Sequence, residues 1–155
     1  MKFFRKIALI AIPAICLGLT SCENSSEKVT NEVAAVQTDL AQRMLDCKTA
    51  DDAMALLKHI DEATREIDDL RVDIEKRKSD LIQEEKDLTK REMLEVEKLR
   101  IELTKSVMLM TDGMTHVSKI SGVNMEEIGK ATSKLGEALD KLAKVLVEIS
   151  TEANK

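Results

Sequence analysis

Few residues of this chain are of a type that does chemistry. Two histidines, His59 and His116, and three cysteines, Cys16, Cys22 and Cys47, stand in a background rich in Ala, Leu, Glu, Lys and Asp. Glu62 follows His59 by three residues, and Asp112 precedes His116 by four. At those spacings each pair shares a helix face and offers half a metal site. Di-iron bundles use Glu-x-x-His pairs together with further glutamates on facing helices. That order is absent here, so both histidines are expected at the surface and no metal is expected. The sequence also lacks a glycine-rich phosphate loop, a zinc-protease motif and a serine-nucleophile elbow. The many carboxylates read as solvating groups on charged helices. No catalysis, no cofactor and no small-molecule substrate is expected.

Cys22 is the exception, because of what precedes it. The chain begins Met1-Lys2-Phe3-Phe4-Arg5-Lys6, continues with an apolar run from Ile7 to Leu17, and exits through Leu19-Thr20-Ser21-Cys22. A basic start, a short apolar run and a small-residue exit make a secretory signal. A bilayer-spanning helix needs about 20 apolar residues, whereas Lys6 and Glu23 bracket a shorter stretch with Pro13 inside it. The Leu-Thr-Ser-Cys exit resembles the lipobox of bacterial lipoproteins. The resemblance implies that residues 1–21 are removed and that Cys22 becomes a lipidated first residue, carrying diacylglycerol and an N-acyl chain such as palmitate. One acyl chain holds a protein at a membrane only marginally, at about 0.8 kcal/mol per buried methylene; two or three hold it firmly. In enteric bacteria, aspartate after the cysteine retains such proteins in the inner membrane. Glu23 is not aspartate, which makes the outer membrane of the cell envelope the expected address.

Removing the signal changes the remainder. Phe3, Phe4 and Pro13 all lie within it, so the part from Cys22 onward has neither an aromatic residue nor a proline. Lys2, Arg5 and Lys6 leave too, so 24 basic residues become 21 against 29 acidic ones, a net charge of −8. An acidic chain without a basic stripe is poorly suited to nucleic acid or to anionic lipid heads. Lys76-Arg77-Lys78 is its one basic cluster and is surrounded by acids. The 134 residues from Cys22 suit one domain. Their composition indicates long helices, and no alternating run of Val, Ile or Thr marks a strand. The fold class expected is all-α.

Residues 22–25 read as a short tether, and residues 26–155 as a helical bundle or coiled-coil domain. The first stripe is Val29, Val33, Val36, Leu40, Met44, Cys47, at helical steps of three and four. Thr49-Ala50-Asp51-Asp52 then resembles a capping box. The second stripe, Leu56, Ile60, Ala63, Ile67, Leu70, Ile74, has coiled-coil spacing. Residues 75–92 hold 12 charged residues without a glycine or proline, and pairs four apart such as Asp73/Arg77 support an exposed helix. The third stripe runs Val96, Leu99, Leu103, Val107, Met110, Met114, Val117. Gly113 interrupts it and reads as a weak point costing about 1 kcal/mol. Ser121-Gly122-Val123-Asn124 follows as a stop and a new N-cap.

The last helix carries the strongest heptads. Ile128, Leu135, Leu142 and Ile149 form one row; Thr132, Leu139 and Leu146 form the other. Small residues flank them (Gly129, Gly136, Ala143 and Ser150 on one side; Ala131 and Ala138, with Val145, on the other), where a two-stranded coil usually holds charges. They are expected to let neighbouring backbones approach in a bundle of three or more helices, within one chain or between chains. Ile128, Leu135, Leu139, Leu142, Leu146 and Ile149 are therefore the candidate face for self-association or a protein partner. Cys47 is left unpaired and reads as a buried apolar group or as the site of an intermolecular disulfide. Met108, Met110, Met114 and Met125 gather near the last turn, as core filling or as an adaptable groove.

Two antiparallel arrangements fit these elements. In one, a single helix spans residues 50–120, with the first and last helices folded onto its ends. In the other, the chain turns near Ser79 or Thr89 and closes a four-helix bundle. The absence of turn residues between 75 and 92 favours the elongated form. The function expected is that of a non-enzymatic, membrane-anchored envelope lipoprotein acting as spacer or interaction scaffold. A periplasmic chaperone, inhibitor or immunity-type binding protein is the alternative. A third reading rests on Lys155, since the murein lipoprotein resembles this chain in its lipobox, heptads and a C-terminal lysine joined to peptidoglycan. That likeness departs in length, in turns and in the ending Ala153-Asn154-Lys155.

Overall fold

The computed structural model describes residues 26–86 and 90–155, with side chains for 29–86 and 101–155. The signal, Cys22, the tether, Thr89, Val96 and Leu99 lie outside the described backbone or side chains. Five helices account for almost all of it: α1 (Ser26–Asp46), α2 (Ala50–Lys76), α3 (Lys78–Lys86), α4 (Lys90–Val117) and α5 (Met125–Ala153). No strand occurs among the described residues.

The helix boundaries follow local chemistry. Thr49 caps α2: its hydroxyl accepts from Asp52 N–H at 3.1 Å, while Asp52 Oδ2 accepts from Thr49 N–H at 2.9 Å. The reciprocal pair satisfies donors that the first helical turn leaves without partners. Gly122, at φ +85°, supplies the left-handed residue in the turn between α4 and α5. Asn124 then caps α5 by accepting from Glu126 and Glu127 N–H. At Arg77 the helix is interrupted for one residue: its N–H donates to the carbonyls of Asp73 and Ile74, and α3 resumes at Lys78.

The chain runs up α1, down α2 and α3, up α4 and down α5, a four-helix bundle. Packing does not follow chain order. α1 lies against α4, and α2 with α3 lies against α5. Both pairings are parallel. Gln37 meets Ser106, Met44 meets Gly113, and Cys47 meets His116, a constant register that an antiparallel pair cannot keep. Ala50 at the start of α2 lies by Gly122 ahead of α5, while Lys78 reaches Glu148 and Glu152 near the far end of α5.

The elongated arrangement is thereby corrected. A single helix over 50–120 would have made α1 on α2 and α5 on α4 the main pairs, whereas here α1 touches α2 only along an edge. Instead α4 runs antiparallel to α3, and the sequence between them contains neither glycine nor proline. What rewards the reversal is one shared core. It takes Leu40 and Met44 from α1, Ile60 and Ile67 from α2, Leu81 from α3, Met110 and Val117 from α4, and Ile128 and Ile149 from α5. The charged stretch is not a bare bridge either: Leu81 is buried, and Lys78 ties α3 to α5 through Glu148 (3.2 Å) and Glu152 (3.1 Å). Just ahead of this stretch Arg71 pairs with Asp68 and with Glu75.

Gly113 is the point of closest approach, not a weak point. A Cβ there would stand 2.8 Å from Met44 Cβ and 3.0 Å from the Ala41 carbonyl oxygen. Gly129, one of the flanking residues expected to admit a neighbour, has no atom within 4 Å of its Cβ position. The same substitution at the two sites therefore has opposite signs. In an open helix, Gly→Ala gains about 0.4–1 kcal/mol, so Gly129→Ala should stabilise the fold by that amount. Gly113→Ala should destabilise it by about 1–3 kcal/mol, through overpacking against backbone. Guanidinium denaturation of both variants checks the pair; stabilisation by Gly113→Ala would remove the close contact from the account.

Candidate functional site

Three places bring polar or chemically distinctive side chains together. The first is the end of the bundle that carries the two turns. Cys47 is buried, and its thiol donates to the Arg43 carbonyl at 3.2 Å. His116 Nε2 donates to the Cys47 carbonyl at 2.8 Å and ties the end of α4 to the end of α1. His116 thus caps a helix end instead of pairing with Asp112 toward a metal. Burial, reinforced by Asp52 and Asp46, raises the Cys47 thiol above its ordinary value. A neutral, enclosed thiol is a poor nucleophile, which disfavours the intermolecular disulfide and fits the buried apolar group.

Asp52, beside it, is held below the usual carboxylate range. Lys48 N–H contributes most, followed by the Thr49 hydroxyl and Thr49 N–H. A depressed carboxylate stabilises the fold above its unfolded value of about 3.9, and that contribution is lost as pH falls through the lower folded value.

The second place is inside the α1–α4 interface. Gln37 and Ser106 are both almost fully buried. Ser106 Oγ is 2.7 Å from Gln37 Oε1 and 2.8 Å from the Leu103 carbonyl, while Gln37 Nε2 is buried without a partner. One hydroxyl proton cannot serve two acceptors. With the amide turned end for end, Ser106 would donate to Leu103 and accept from Gln37 Nε2, which resolves the shared proton and leaves the amide oxygen as the buried atom without a partner. Either way the pair fixes the register of α1 on α4, because a one-residue slip would leave both groups buried and unmet. Neither residue belonged to the apolar stripes read from the sequence. Thr30 and Ala41 are buried beside Gln37, and Val36 is only half-buried. The face that α1 buries is therefore rotated toward α4 relative to the stripe.

The third place is the seam between α1 and α2, which stays open. Two adjoining clefts of about 320 and about 510 Å³ run along it and share Ala35, Val36 and Glu66. Val36, Ile67 and Leu70 floor the larger cleft, while Glu32, Glu66, Asp69 and Asp73 rim it, and no lysine or arginine is among its described lining residues. The smaller cleft holds Arg43 and His59, each against a carboxylate: Arg43 Nε is 2.7 Å from Asp39, and His59 Nδ1 is 3.1 Å from Glu62. His59 and Glu62 do meet as their spacing indicated. Among the described residues no group of three or more His, Cys, Asp or Glu is arranged to hold a metal ion.

The six residues expected to meet a partner are turned inward. Ile128, Leu135, Leu139, Leu142, Leu146 and Ile149 are all buried within the chain, on the helix that packs against α2 and α3. The association face read from the heptads is thus satisfied inside one molecule. Of the methionines, Met110 and Met114 are core, Met125 is half-buried and Met108 is 62% exposed. No described helix is long and apolar enough to cross a membrane. Compared with protein-family models, with curated proteins and with solved structures, the chain has no match.

Two measurements check this geometry. Iodoacetamide at mildly alkaline pH should alkylate Cys47 at least about tenfold more slowly in folded protein than in guanidinium, read by peptide mass spectrometry; equal rates would mean an open thiol. Asp52→Asn should flatten the acid limb of the melting curve, losing less Tm than the unsubstituted protein on going from neutral pH to about pH 3. Parallel acid limbs would remove Asp52 from the cap's pH dependence.

Proposed function

We propose that the chain is a non-enzymatic lipoprotein of the bacterial envelope, held by acyl groups on Cys22, whose bundle acts as a spacer or interaction scaffold. The observation that carries this reading is Leu19-Thr20-Ser21-Cys22 at the exit of the secretory signal, four residues before α1 begins. Four extended residues reach about 14 Å at most, so an anchor on Cys22 keeps the bundle close to the bilayer. The start of α1, the end of α3, the start of α4 and the end of α5 then form the end facing the membrane. The two turns, at residues 47–49 and 118–124, point away from it. The outer membrane is the address proposed, from Glu23 following the cysteine.

The chaperone, inhibitor or immunity-type reading is supported by the open seam between α1 and α2, which offers an apolar floor under charged edges. The wall tether through Lys155 is disfavoured by topology. α5 ends beside α3, at the same end of the bundle as the start of α1, so Lys155 lies near the proposed anchor instead of projecting from it.

Replacing Cys22 with alanine should abolish incorporation of labelled palmitate and move the protein from the membrane to the soluble fraction. Retained label, or retention at the membrane without label, would overturn the anchor.

A further inference from the structure

We propose that the seam between α1 and α2 is a docking groove for a basic amphipathic helix of a partner protein. The proposal deepens the scaffold reading and rests on that reading, not on the anchor. Both flanking helices commit their buried faces elsewhere, α1 to α4 and α2 to α5. Val36 and Leu70 consequently stay half-buried at the seam, above the fully buried Ile67. The clefts follow α1 from Glu32 to Arg43, about 17 Å at 1.5 Å per residue. That length takes three turns of helix, and a helix laid in a groove between two helices is an established way to bury an apolar stripe.

The rim selects the sign of the occupant's charge. Glu66, Asp69 and Asp73 are exposed acids along the larger cleft, whose described lining holds no lysine or arginine, and the arginine of the smaller cleft, Arg43, is paired with Asp39 at 2.7 Å. A helix with leucine-like residues on one face and lysine or arginine flanking them would place its apolar groups on Val36 and Leu70 and its cations on the rim. The rim's field raises the encounter rate with such a partner and repels acidic ones. A second copy of this chain is disfavoured on the same ground, since two acidic rims would face each other. Anionic lipid headgroups are repelled likewise.

The test uses the full chain in nanodiscs of zwitterionic phosphatidylcholine, with empty discs as the blank. The probe is a fluorescein-labelled amphipathic peptide of leucine and lysine, about four turns long; a leucine–glutamate peptide of the same pattern is its counterpart. The lysine peptide should bind saturably by fluorescence anisotropy, weaken as salt rises, and outcompete the glutamate peptide. Glu66→Gln with Asp69→Asn and Asp73→Asn should weaken binding about tenfold or more. A control removing equal charge elsewhere, Asp61→Asn with Asp112→Asn and Glu137→Gln, should leave it within about twofold. Ala35→Trp, which plugs the cleft from an exposed position, should block it, and circular dichroism should report every variant as folded.

The proposal is overturned if neither peptide binds, if both bind equally, or if the rim and control variants behave alike. It is also overturned if the rim variant abolishes a concentration-dependent dimer seen by sedimentation, which would assign the seam to a second copy. Palmitate on Cys22 without peptide binding removes the groove and leaves the anchor; binding without palmitate does the reverse.

Discussion

The close approach of α1 to α4 is the constraint on which the rest of the bundle depends. Met44 sits over Gly113, and Gln37 sits over Ser106 one heptad below, so a large side chain faces a small one at both levels. That alternation brings two parallel helices nearer than side chains of equal size would allow, with the Ala41 carbonyl 3.0 Å from where a Cβ on residue 113 would be. Parallel neighbours cannot be joined by a short turn, so an antiparallel helix must intervene. α2 and α3 make that return and then need a partner of their own. α5 supplies it, with the most continuous apolar face in the chain. The topology is in this sense a consequence of one tight pair.

Much of this order was legible in the residues. The stripes of the second and fourth segments, the cap at Thr49 and the turn at Gly122-Asn124 all depend on nearest neighbours along the chain. Local periodicity and capping chemistry carry them completely. The pairing of helices depends on neighbours about 70 residues away, and periodicity holds no information about which stripe meets which. Gly113 shows the difference. Considered within its own helix it only costs backbone entropy; considered beside Met44 it is where the fold is tightest. Gln37 was missed because it is polar inside an apolar row, and only the hydroxyl of Ser106 across the interface explains its burial. Of the residues flanking the heptads of α5, Ala131, Ala138 and Val145 are buried as their pattern indicated, and Gly129 is the exception. Gly129 looked like an invitation to a neighbour and faces open space.

The charged stretch after Ile74 behaves as the outer side of a helix whose inner side is short. Leu81 and the half-buried Ile82 keep α3 against the core with Ile74, and Lys78 between Glu152 and Glu148 holds it to α5, which raises the lysine above its ordinary value. Nearby, burial pushes the Glu85 carboxyl up, against a hydrogen bond from Ser150 that favours its charged form. This end of the bundle is thus tied across helices by an ion-pair cluster, where the described ties at the opposite end are caps and the bond from His116 to the Cys47 carbonyl; the ion-pair tie is the one that salt weakens.

The even number of passes has a practical corollary for imaging. Because residues 26 and 153 share a pole, a fluorescent domain appended after α5 would crowd whatever adjoins the start of α1. The Gly122 turn, exposed at the other pole, already accepts a left-handed backbone and is the place where a reporter could be inserted without disturbing a packed helix.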